Sequence, residues 1–339
     1  MKRTWFLFLL LPLVLYAEDF DTLMGKNSPH WKYVKTTDDI QLLSQFKALY
    51  QKNITQLSTT STEQKIPKLI HFIWIGPKPF PPHSVENVRS WIAHHPDWTV
   101  IFWTDRDRLP PCNGMERRLI QDFTFTTLKA QYEDSDNYGE KSDLLRYEIL
   151  YQLGGVYADH DANCLQPFAP LHSAYDFYCC FETPHPVFSG RNVTCGIGLL
   201  GSRPNHPALK FIFSWLTSKW DAIGEQYKGK DAFSKKERVL NRTYIALTNA
   251  IQQTLDQPGN VDIVLPAAYF FAKQGIPSLY SKHFYTTVWA DDKVKASTFE
   301  KASDKLLAKA EKRLERATYF AFALLFCTPF SFLLLRKKR

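Results

Sequence analysis

The chain has 339 residues, 45% of them hydrophobic and 15% aromatic, which is enough for one large globular domain or two small ones. Its net charge is +8, but six positive charges belong to Lys2, Arg3 and residues 336–339, and removing these six leaves +2 for the rest. The chain therefore offers no basic face for nucleic acid. Its six cysteines include no C-x-x-C pair, which argues against a zinc knuckle.

The N-terminal part is predicted to precede the catalytic domain. Twelve apolar residues follow two basic ones, which predicts a signal peptide or an N-terminal anchor over residues 1–17. Residues 18–65 are polar, with one predicted helix from Asp39 to Gln51 and a Ser/Thr-rich linker after it. We therefore expect the ordered domain to begin at Ile66 and to extend over residues 66–290.

The start of that domain shows a β-α-β pattern. "KLIHFIWI" is typical of a buried strand, "VENVRSWIAHH" has apolar residues at helical spacing, and "WTVIFWTD" predicts a second strand. Such a unit predicts a parallel sheet with right-handed crossovers. Ligands of such sheets bind beyond the carboxyl ends of the strands, where Trp74 and Asp105 fall.

A helix and a short strand then lead to two aspartates. "KSDLLRYEILYQLGG" predicts a helix that Ser142 can cap and that Gly154-Gly155 end, and the strand 156–158 delivers Asp159 and Asp161. Residues two apart point the same way on extended backbone, so these carboxylates should converge. They would repel unless a cation lay between them, and Mg²⁺ or Mn²⁺ prefers such oxygen ligands.

Three other Asp-x-Asp pairs occur in the chain, so the motif alone does not identify a metal site. The flanking residues must show which pair binds the metal. One pair precedes the domain and one lies in a polar loop. Asp105/Asp107 also follows a predicted strand and is the rival metal site.

The rest of the chain predicts more α/β structure and then a membrane segment. A helix is expected in "HPALKFIFSWLTSKW" and a strand in "VDIVLP". Residues 291–316 are charged and amphipathic, which suggests a stalk. Residues 317–335 carry no charge and precede the basic residues 336–339, which predicts a transmembrane helix, with a buried core helix as the alternative. The positive-inside rule places both basic ends in the cytosol.

Four stretches together resemble a known family. "IPKLIHFIWIG", "HPDWTVIFWTD", "KSDLLRYEILYQLGGVYADHD" and "GLLGSRPNHP" are similar to the DXD-containing glycosyltransferases of family 32. That family includes yeast mannosyltransferases that act on N-glycans and on inositol phosphoceramide, and the glucosyltransferase domain of large clostridial toxins is more distant. The resemblance implies a GT-A fold, which is a Rossmann-like, mostly parallel sheet with flanking helices. It also implies a nucleotide-diphosphate sugar donor, Mn²⁺ or Mg²⁺, and retention of the anomeric configuration.

The resemblance also implies roles for residues of the donor site. Asp161 corresponds to the direct metal ligand, and Asp159 to a residue that touches ribose and reaches the metal through water. Asp143 and Arg146 correspond to residues that grip the donor sugar, and an exposed ion pair is the alternative. Tyr157 lies on the same face of the strand as Asp159, so it can reach the donor, and packing in the core is the alternative.

Three aromatic residues complete the predicted site. Trp74 corresponds to the tryptophan that stacks on the nucleotide base. His283 and Trp289 resemble a late segment that closes over the diphosphate, in which the histidine can be a third metal ligand. Packing in the core is the alternative for all three. No residue stands out as a base or a nucleophile.

The predicted function is transfer of a hexose (mannose, glucose or galactose) to a membrane glycolipid, a sphingolipid or a glycan. The catalytic domain would face a Golgi-like lumen in a eukaryote and the cytosol in a bacterium. One alternative is a phosphatase of the haloacid-dehalogenase type, although Asn163 stands where that class expects threonine. The other is a non-catalytic sugar-binding protein that uses the metal only to hold its ligand.

Overall fold

The chain alternates strands and helices over residues 19–58, 63–186, 190–255 and 257–286, which are the residues that this computed structural model describes. The strands are β1 (Leu69–Ile73), β2 (Thr99–Thr104), β3 (Met115–Leu119), β4 (Gly155–Ala158), β5 (Ala162–Cys164), β6 (Phe177–Phe181), β7 (Cys195–Ser202), β8 (Asp262–Leu265) and β9 (Ser281–His283). The helices are α1 (Phe20–Leu23), α2 (Thr37–Asn53), α3 (Val85–His94), α4 (Lys129–Asp134), α5 (Tyr138–Leu153), α6 (Ala169–Ala174), α7 (Pro207–Gln226), α8 (Ala232–Val239) and α9 (Ile245–Thr254), with a π-helical turn at Leu240–Tyr244 and 3₁₀ turns at Pro29–Tyr33, Ile54–Ser58, Pro82–Ser84 and Ile120–Asp122.

Seven of these strands form one sheet in the order β3-β2-β1-β4-β7-β6-β8. The neighbours from β3 to β4 pair in parallel, as do β6 and β8, whereas β7 runs antiparallel to both β4 and β6. The predicted mixed α/β architecture with a mostly parallel sheet is therefore confirmed. The strands next to the centre are buried along almost their whole length, because helices cover both faces of such sheets.

The predicted β-α-β unit corresponds to β1, α3 and β2. Strands β1 and β2 pair over five residues, from Leu69 opposite Thr99 to Ile73 opposite Trp103. Helix α3 buries Trp91 completely, and the indole N–H donates to the carbonyl of Ala162. This contact holds the crossover helix against the segment that follows β4.

Two glycines let helix α5 turn directly into strand β4. Gly154 and Gly155 have φ angles of +66° and +96°, which side chains other than glycine rarely adopt. A Cβ on Gly155 would lie 2.6 Å from the carbonyl oxygen of Leu69 in the neighbouring strand. The helix begins earlier than predicted, because Asn137 caps it through a hydrogen bond from the N–H of Glu140, and Ser142 lies inside the helix.

The chain already packs into the core before Ile66, the residue at which we predicted the domain to start. Helix α2 buries Phe46 and Tyr50, and the Phe46 ring packs edge-on against Phe181 of β6 at 5.7 Å. The side chain of Asn53 donates to the carbonyl of Asp262 in β8. The predicted helix Asp39–Gln51 is thus present within α2, and its inner face belongs to the core that we expected to begin only at Ile66.

Several predicted segments lie outside the described residues. These are the N-terminal run 1–17, the stalk 291–316, the predicted membrane helix 317–335, and Trp289. Among the helices that the structure does describe, none combines the length and the apolar character needed to cross a bilayer.

Candidate active site

The two aspartates of the central D-x-D occupy a tight turn between β4 and β5. The N–H of Asp159 donates to the carbonyl of Gly198 in β7, and the carbonyl of Asp159 accepts from the N–H of Ala162. The carboxylates therefore converge because the chain turns, and our expectation that they would do so on extended backbone was wrong. Ser84 contacts the ring of His160 at 2.7 Å and so fixes the middle of the turn.

His283 lies next to both aspartates because β9 pairs with β5. His283 stands opposite Ala162 in this short antiparallel ladder, and the carbonyl of Asp161 accepts from the N–H of Phe284. The Nε2 atom of His283 lies 3.4 Å from Asp159 Oδ2 and 3.4 Å from Asp161 Oδ1. Asp161 is almost completely buried, whereas Asp159 keeps about a quarter of its side chain exposed.

These three side chains have the spacing of a metal site. Asp159, Asp161 and His283 each offer one ligand atom, and those atoms all lie within 4.8 Å of one another. Atoms bound to one Mg²⁺ or Mn²⁺ at about 2.1 Å lie up to about 4.2 Å apart, so a small inward movement would suit the ion. The donor set of two carboxylates and one imidazole suits such an ion chemically.

The hydrogen bonds of His283 restrict how its ring could coordinate a metal ion. Its Nδ1 atom accepts from the backbone N–H of Tyr285 at 3.1 Å, which leaves the proton on Nε2, facing the carboxylates. In this form His283 is a hydrogen-bond donor to the aspartates. It would become a third ligand only by giving up the Nε2 proton.

Arg146 and Asp143 form a buried pair beside the aspartates. The Arg146 guanidinium lies 2.7 Å from Asp143 Oδ1 and 3.5 Å from Asp159 Oδ1, and it donates to the carbonyl of Ile197. Only 4% of Arg146 and 5% of Asp143 are exposed, so the alternative of a solvent-exposed ion pair is wrong. Arg146 thus connects Asp143, its partner in the predicted sugar-binding pair, to Asp159 of the Asp159–Asp161–His283 cluster, which we call the metal cluster.

The π-helical turn before α9 supplies a further contact to Asp143. The hydroxyl of Thr243 donates to Asp143 Oδ2 at 2.7 Å, and the hydroxyl of Tyr147 donates to the carbonyl of Thr243. Single π-helical turns are frequent at functional sites, because the extra residue redirects side chains. Sequence reasoning missed this turn, since "LNRTY" continues the helical pattern on either side.

Tyr157 supports Asp159 from within the core. Its hydroxyl donates to Asp159 Oδ1 at 2.6 Å, the Arg146 guanidinium lies 4.1 Å from the centre of its ring, and only 2% of the residue is exposed. The structure therefore places Tyr157 behind the aspartate, where it holds the carboxylate in position.

Trp74 lies at the other side of the D-x-D turn. Its ring packs edge-on against the ring of His160 at 5.0 Å, and its indole N–H donates to the carbonyl of Lys78. The guanidinium of Arg108 holds this loop by donating to the carbonyls of Trp74, Gly76 and Lys78. The sequence contains no sign of this arginine's role, because it depends on three backbone carbonyls of another loop.

The rival pair Asp105/Asp107 does not converge. Asp105 accepts from the N–H of Gly76 and pairs with the guanidinium of Arg106. Asp107 is exposed and pairs with Arg117. Asp105 therefore braces the Trp74 loop, and the two carboxylates face different partners.

Asp143 and Asp159 both lie next to Arg146, but their surroundings shift their pKa values in opposite directions. Burial raises the pKa of Asp143 to about 7, although Arg146 and Thr243 oppose this. Burial also acts on Asp159, but Arg146, His283 and the hydroxyl of Tyr157 outweigh it and hold its pKa well below the ordinary value. Asp159 therefore remains ionised at neutral pH, as a metal ligand must, whereas Asp143 titrates near neutrality.

Residues 81–178, which include α3, α5 and the D-x-D turn, match the family model described as a glycosyltransferase sugar-binding region containing a DXD motif. This stretch of the chain is therefore similar to the DXD-containing region of glycosyltransferases. The resemblance predicted from the four sequence stretches is thus confirmed.

Curated relatives resemble the chain over the same region. "Subversion of eukaryotic traffic protein A" from Legionella pneumophila is 29% identical over 193 residues, which cover 52% of this chain and 28% of that protein. "Inositol phosphoceramide mannosyltransferase 3" from Schizosaccharomyces pombe is 30% identical over 146 residues, covering 42% and 35% respectively. The chain thus spans about a third of these two relatives. The solved structure of "PaToxG Glycosyltransferase" is 19% identical, has a TM-score of 0.45, and covers 64% of this chain and 78% of that one.

Beyond residue 178 the candidate site draws on elements outside the matched region. Gly198 of β7 borders the aspartates, Thr243 of the π-helical turn contacts Asp143, and His283 of β9 approaches both aspartates. The matched region therefore contains the D-x-D turn and α5, whereas Trp74 precedes it and Gly198, Thr243 and His283 come later in the chain.

Proposed function

We propose that this chain is a metal-dependent glycosyltransferase of the GT-A type, which transfers a hexose from a nucleotide-diphosphate sugar. The observation that carries the proposal is the position of the Asp159–Asp161–His283 cluster next to the buried Arg146–Asp143 pair. The match of residues 81–178 to a DXD-containing glycosyltransferase region supports it.

The side chains have complementary tasks in this proposal. A divalent cation, when bound by Asp159 and Asp161, supplies positive charge that stabilises the diphosphate as a leaving group. Tyr157 and Arg146 hold Asp159 in place, and Arg146 adds a second positive charge close to the departing phosphate. Asp143, when ionised, accepts hydrogen bonds from hydroxyls of the donor sugar. Trp74 stacks on the nucleotide base.

The acceptor is proposed to be a membrane lipid with a sugar or inositol headgroup, with a glycan as the alternative. A relative named for mannosyl transfer to inositol phosphoceramide supports the first choice. The apolar, basic-flanked residues 317–335 support it as well, because a membrane anchor would keep the domain near such a lipid.

Release of the nucleotide diphosphate by the purified full-length chain tests the proposal. GDP-mannose, UDP-glucose and UDP-galactose are each supplied with Mn²⁺, and then with vesicles that contain an inositol sphingolipid or with free glycan. We expect release from one donor, stimulated by its acceptor and abolished by EDTA. Asp161→Asn should lower turnover by orders of magnitude, because it removes a charged ligand without changing the size of the side chain.

Asp107→Asn is the matched control, since it alters the other D-x-D that follows a strand, and it should leave turnover unchanged. Full activity in EDTA would end the metal hypothesis. Binding of sugar without cleavage would favour the sugar-binding alternative, and hydrolysis of simple phosphate monoesters would favour the phosphatase.

A further inference from the structure

Glu182 lies at the end of β6 and has no assigned role. Its N–H donates to the carbonyl of Thr194, which continues the β6–β7 ladder in which Phe181 pairs with Cys195. Glu182 therefore stands opposite Thr194, on the same face of the sheet as Gly196. The missing side chain of Gly196 leaves room for the ring of a phenylalanine from another segment.

That phenylalanine connects the face of Glu182 to the metal cluster. Phe271 fills the space over Gly196, and its ring lies 5.3 Å from the ring of His283. The carbonyl oxygen of Phe271 accepts from the hydroxyls of both Thr183 and Tyr285, at 2.8 Å and 2.7 Å. The residue after Glu182 and the second residue after His283 therefore donate to the same carbonyl oxygen.

Electrostatics agree with this placement. Burial lowers the pKa of His283, whereas Asp161, Asp159 and, less strongly, Glu182 raise it. Burial raises the pKa of Tyr244 in the π-helical turn, and the charge of Glu182 adds to this. Tyr244 also lies in the field of Asp143 and Arg146. The charge of Glu182 thus reaches both His283 and the π-helical turn whose Thr243 contacts Asp143.

Glu182 also differs from the other acids of the site in its partners. Asp143 and Asp159 pair with Arg146, and Asp161 lies against His283. Within the described part of the chain, neither an ion pair nor a side-chain hydrogen bond engages the Glu182 carboxylate, which is only partly exposed. A half-buried carboxylate without a direct ion-pair partner costs free energy, and perturbed acids of this kind concentrate at functional sites.

We propose that Glu182 is a catalytic carboxylate that contacts the donor sugar at the carbon whose bond to phosphate breaks; this rests on the proposed transferase function. As that bond breaks, its electron pair leaves with the diphosphate, and positive charge develops on the sugar carbon and the ring oxygen. The negative charge of Glu182 stabilises this transition state. The acceptor hydroxyl oxygen then bonds to the carbon, and its proton passes to the departing phosphate.

The test compares Glu182→Gln with the wild-type chain, each as the full chain with Mn²⁺ and the donor that the wild type cleaves. We expect kcat to fall at least about 100-fold, because Gln keeps the shape but not the charge. The KM for the donor, the Mn²⁺ affinity and the melting temperature should stay close to wild type. Formate should restore part of the activity of Glu182→Ala, since it supplies a carboxylate in the vacated space.

Glu116→Gln is the control, because Glu116 is an exposed acid of edge strand β3 that pairs with Arg118. Wild-type turnover by Glu182→Gln would overturn this proposal alone. Loss of Mn²⁺ binding or of thermal stability in both Glu182 variants, without rescue by formate, would also overturn it in favour of a structural role. A wild-type chain that cleaves no donor would overturn the proposed transferase function, and this proposal with it.

Discussion

Arg146 lies next to two carboxylates with one positive charge, and the pKa values of Asp143 and Asp159 differ strongly. Asp159 is held ionised by Arg146, His283 and Tyr157, whereas burial raises the pKa of Asp143 to about 7. A pair of acids whose environments separate their pKa values can hold one carboxylate ionised while the other takes up a proton near neutral pH. This shared contact with Arg146 decides what substitutions of Asp143 should do.

Asp143→Ala should abolish donor cleavage and also destabilise the fold. It leaves Arg146 buried with Asp159, at 3.5 Å, as its remaining ion-pair partner, and breaking a buried ion pair costs on the order of 3 kcal/mol. Asp143→Asn keeps the size and can still accept the hydrogen bond from Thr243, so it should lose activity with a smaller loss of stability.

Thermal melting and donor cleavage, measured on both variants, separate the two effects. Wild-type cleavage by Asp143→Asn would show that the carboxylate charge is not used on the donor. A melting temperature of Asp143→Ala equal to that of the wild type would contradict the buried pair.

At the level of elements, the site depends on how closely β7 approaches the D-x-D turn. A Cβ on Gly198 would lie 2.4 Å from Asp159 Oδ2 and 2.9 Å from His283 Nε2, so a side chain there would occupy the place of the ligand atoms. Gly198 does not have a positive φ angle, and alanine is therefore compatible with its backbone.

Gly198→Ala should weaken Mn²⁺ binding by roughly tenfold or more, because it displaces two of the groups that surround the ion. The melting temperature should change little. Titration of Mn²⁺ into the variant, with Ser202→Ala of the same strand as the control, measures the effect. Unchanged affinity in Gly198→Ala would mean that the ion does not bind between Asp159 and His283.

Elements with strong local patterns could be predicted from the sequence, and elements defined by distant partners could not. The apolar run of β1, the helical spacing in α3 and the glycines after α5 are local signals, and each element is present. Strand β6 carries the continuous apolar run "FYCCF", which is compatible with a strand or a buried helix until its partners are known. We did not predict it, and Glu182 at its end was missed with it.

In the candidate site, too, residues within a local sequence pattern could be predicted and contacts between distant segments could not. Asp159, Asp161, Asp143 and Arg146 lie within one continuous sequence pattern and were predicted, and the structure brings them together. The hydrogen bonds from Arg108 to the Trp74 loop were not predicted, because they end on backbone carbonyl groups, which every residue has. The convergence of the two aspartates was expected for the wrong reason, since a turn produces it.

For the molecule as a whole, buried neutral histidines couple stability to pH. The ring of His71 lies within the sheet, contacts the carbonyl of Gly154 through Nε2 and accepts from the indole N–H of Trp103 through Nδ1. Burial lowers its pKa to about 4 and that of His172, which is also buried, to about 3. Because the unfolded chain binds protons at these histidines from about pH 6.5 downward, acid favours unfolding.

The contribution of His71 to stability should be complete above about pH 6.5 and should be lost as the pH falls toward about 4. Between pH 7 and pH 5 this amounts to about 2 kcal/mol for one histidine whose folded pKa is near 4. His71→Gln, which cannot titrate, should therefore lose less stability over this interval than the wild type, even if it is less stable at pH 7.

Denaturant unfolding at the two pH values gives this difference directly, and the comparison cancels opposing contributions such as that of Asp143. Equal losses in both proteins would mean that His71 is not buried as a neutral group.

The pairing of β5 with β9 has a consequence for the order in which the molecule is completed. Asp159 and His283 are 124 residues apart in the chain, yet they meet across a ladder of three residue pairs. Contacts between such distant residues form late in folding, because closing a long loop costs conformational entropy first. The D-x-D turn can therefore form before β9 is in place, and only a chain that includes β9 can present all three side chains to an ion. The ability to bind the metal would then appear only after the ribosome has synthesised residue 283.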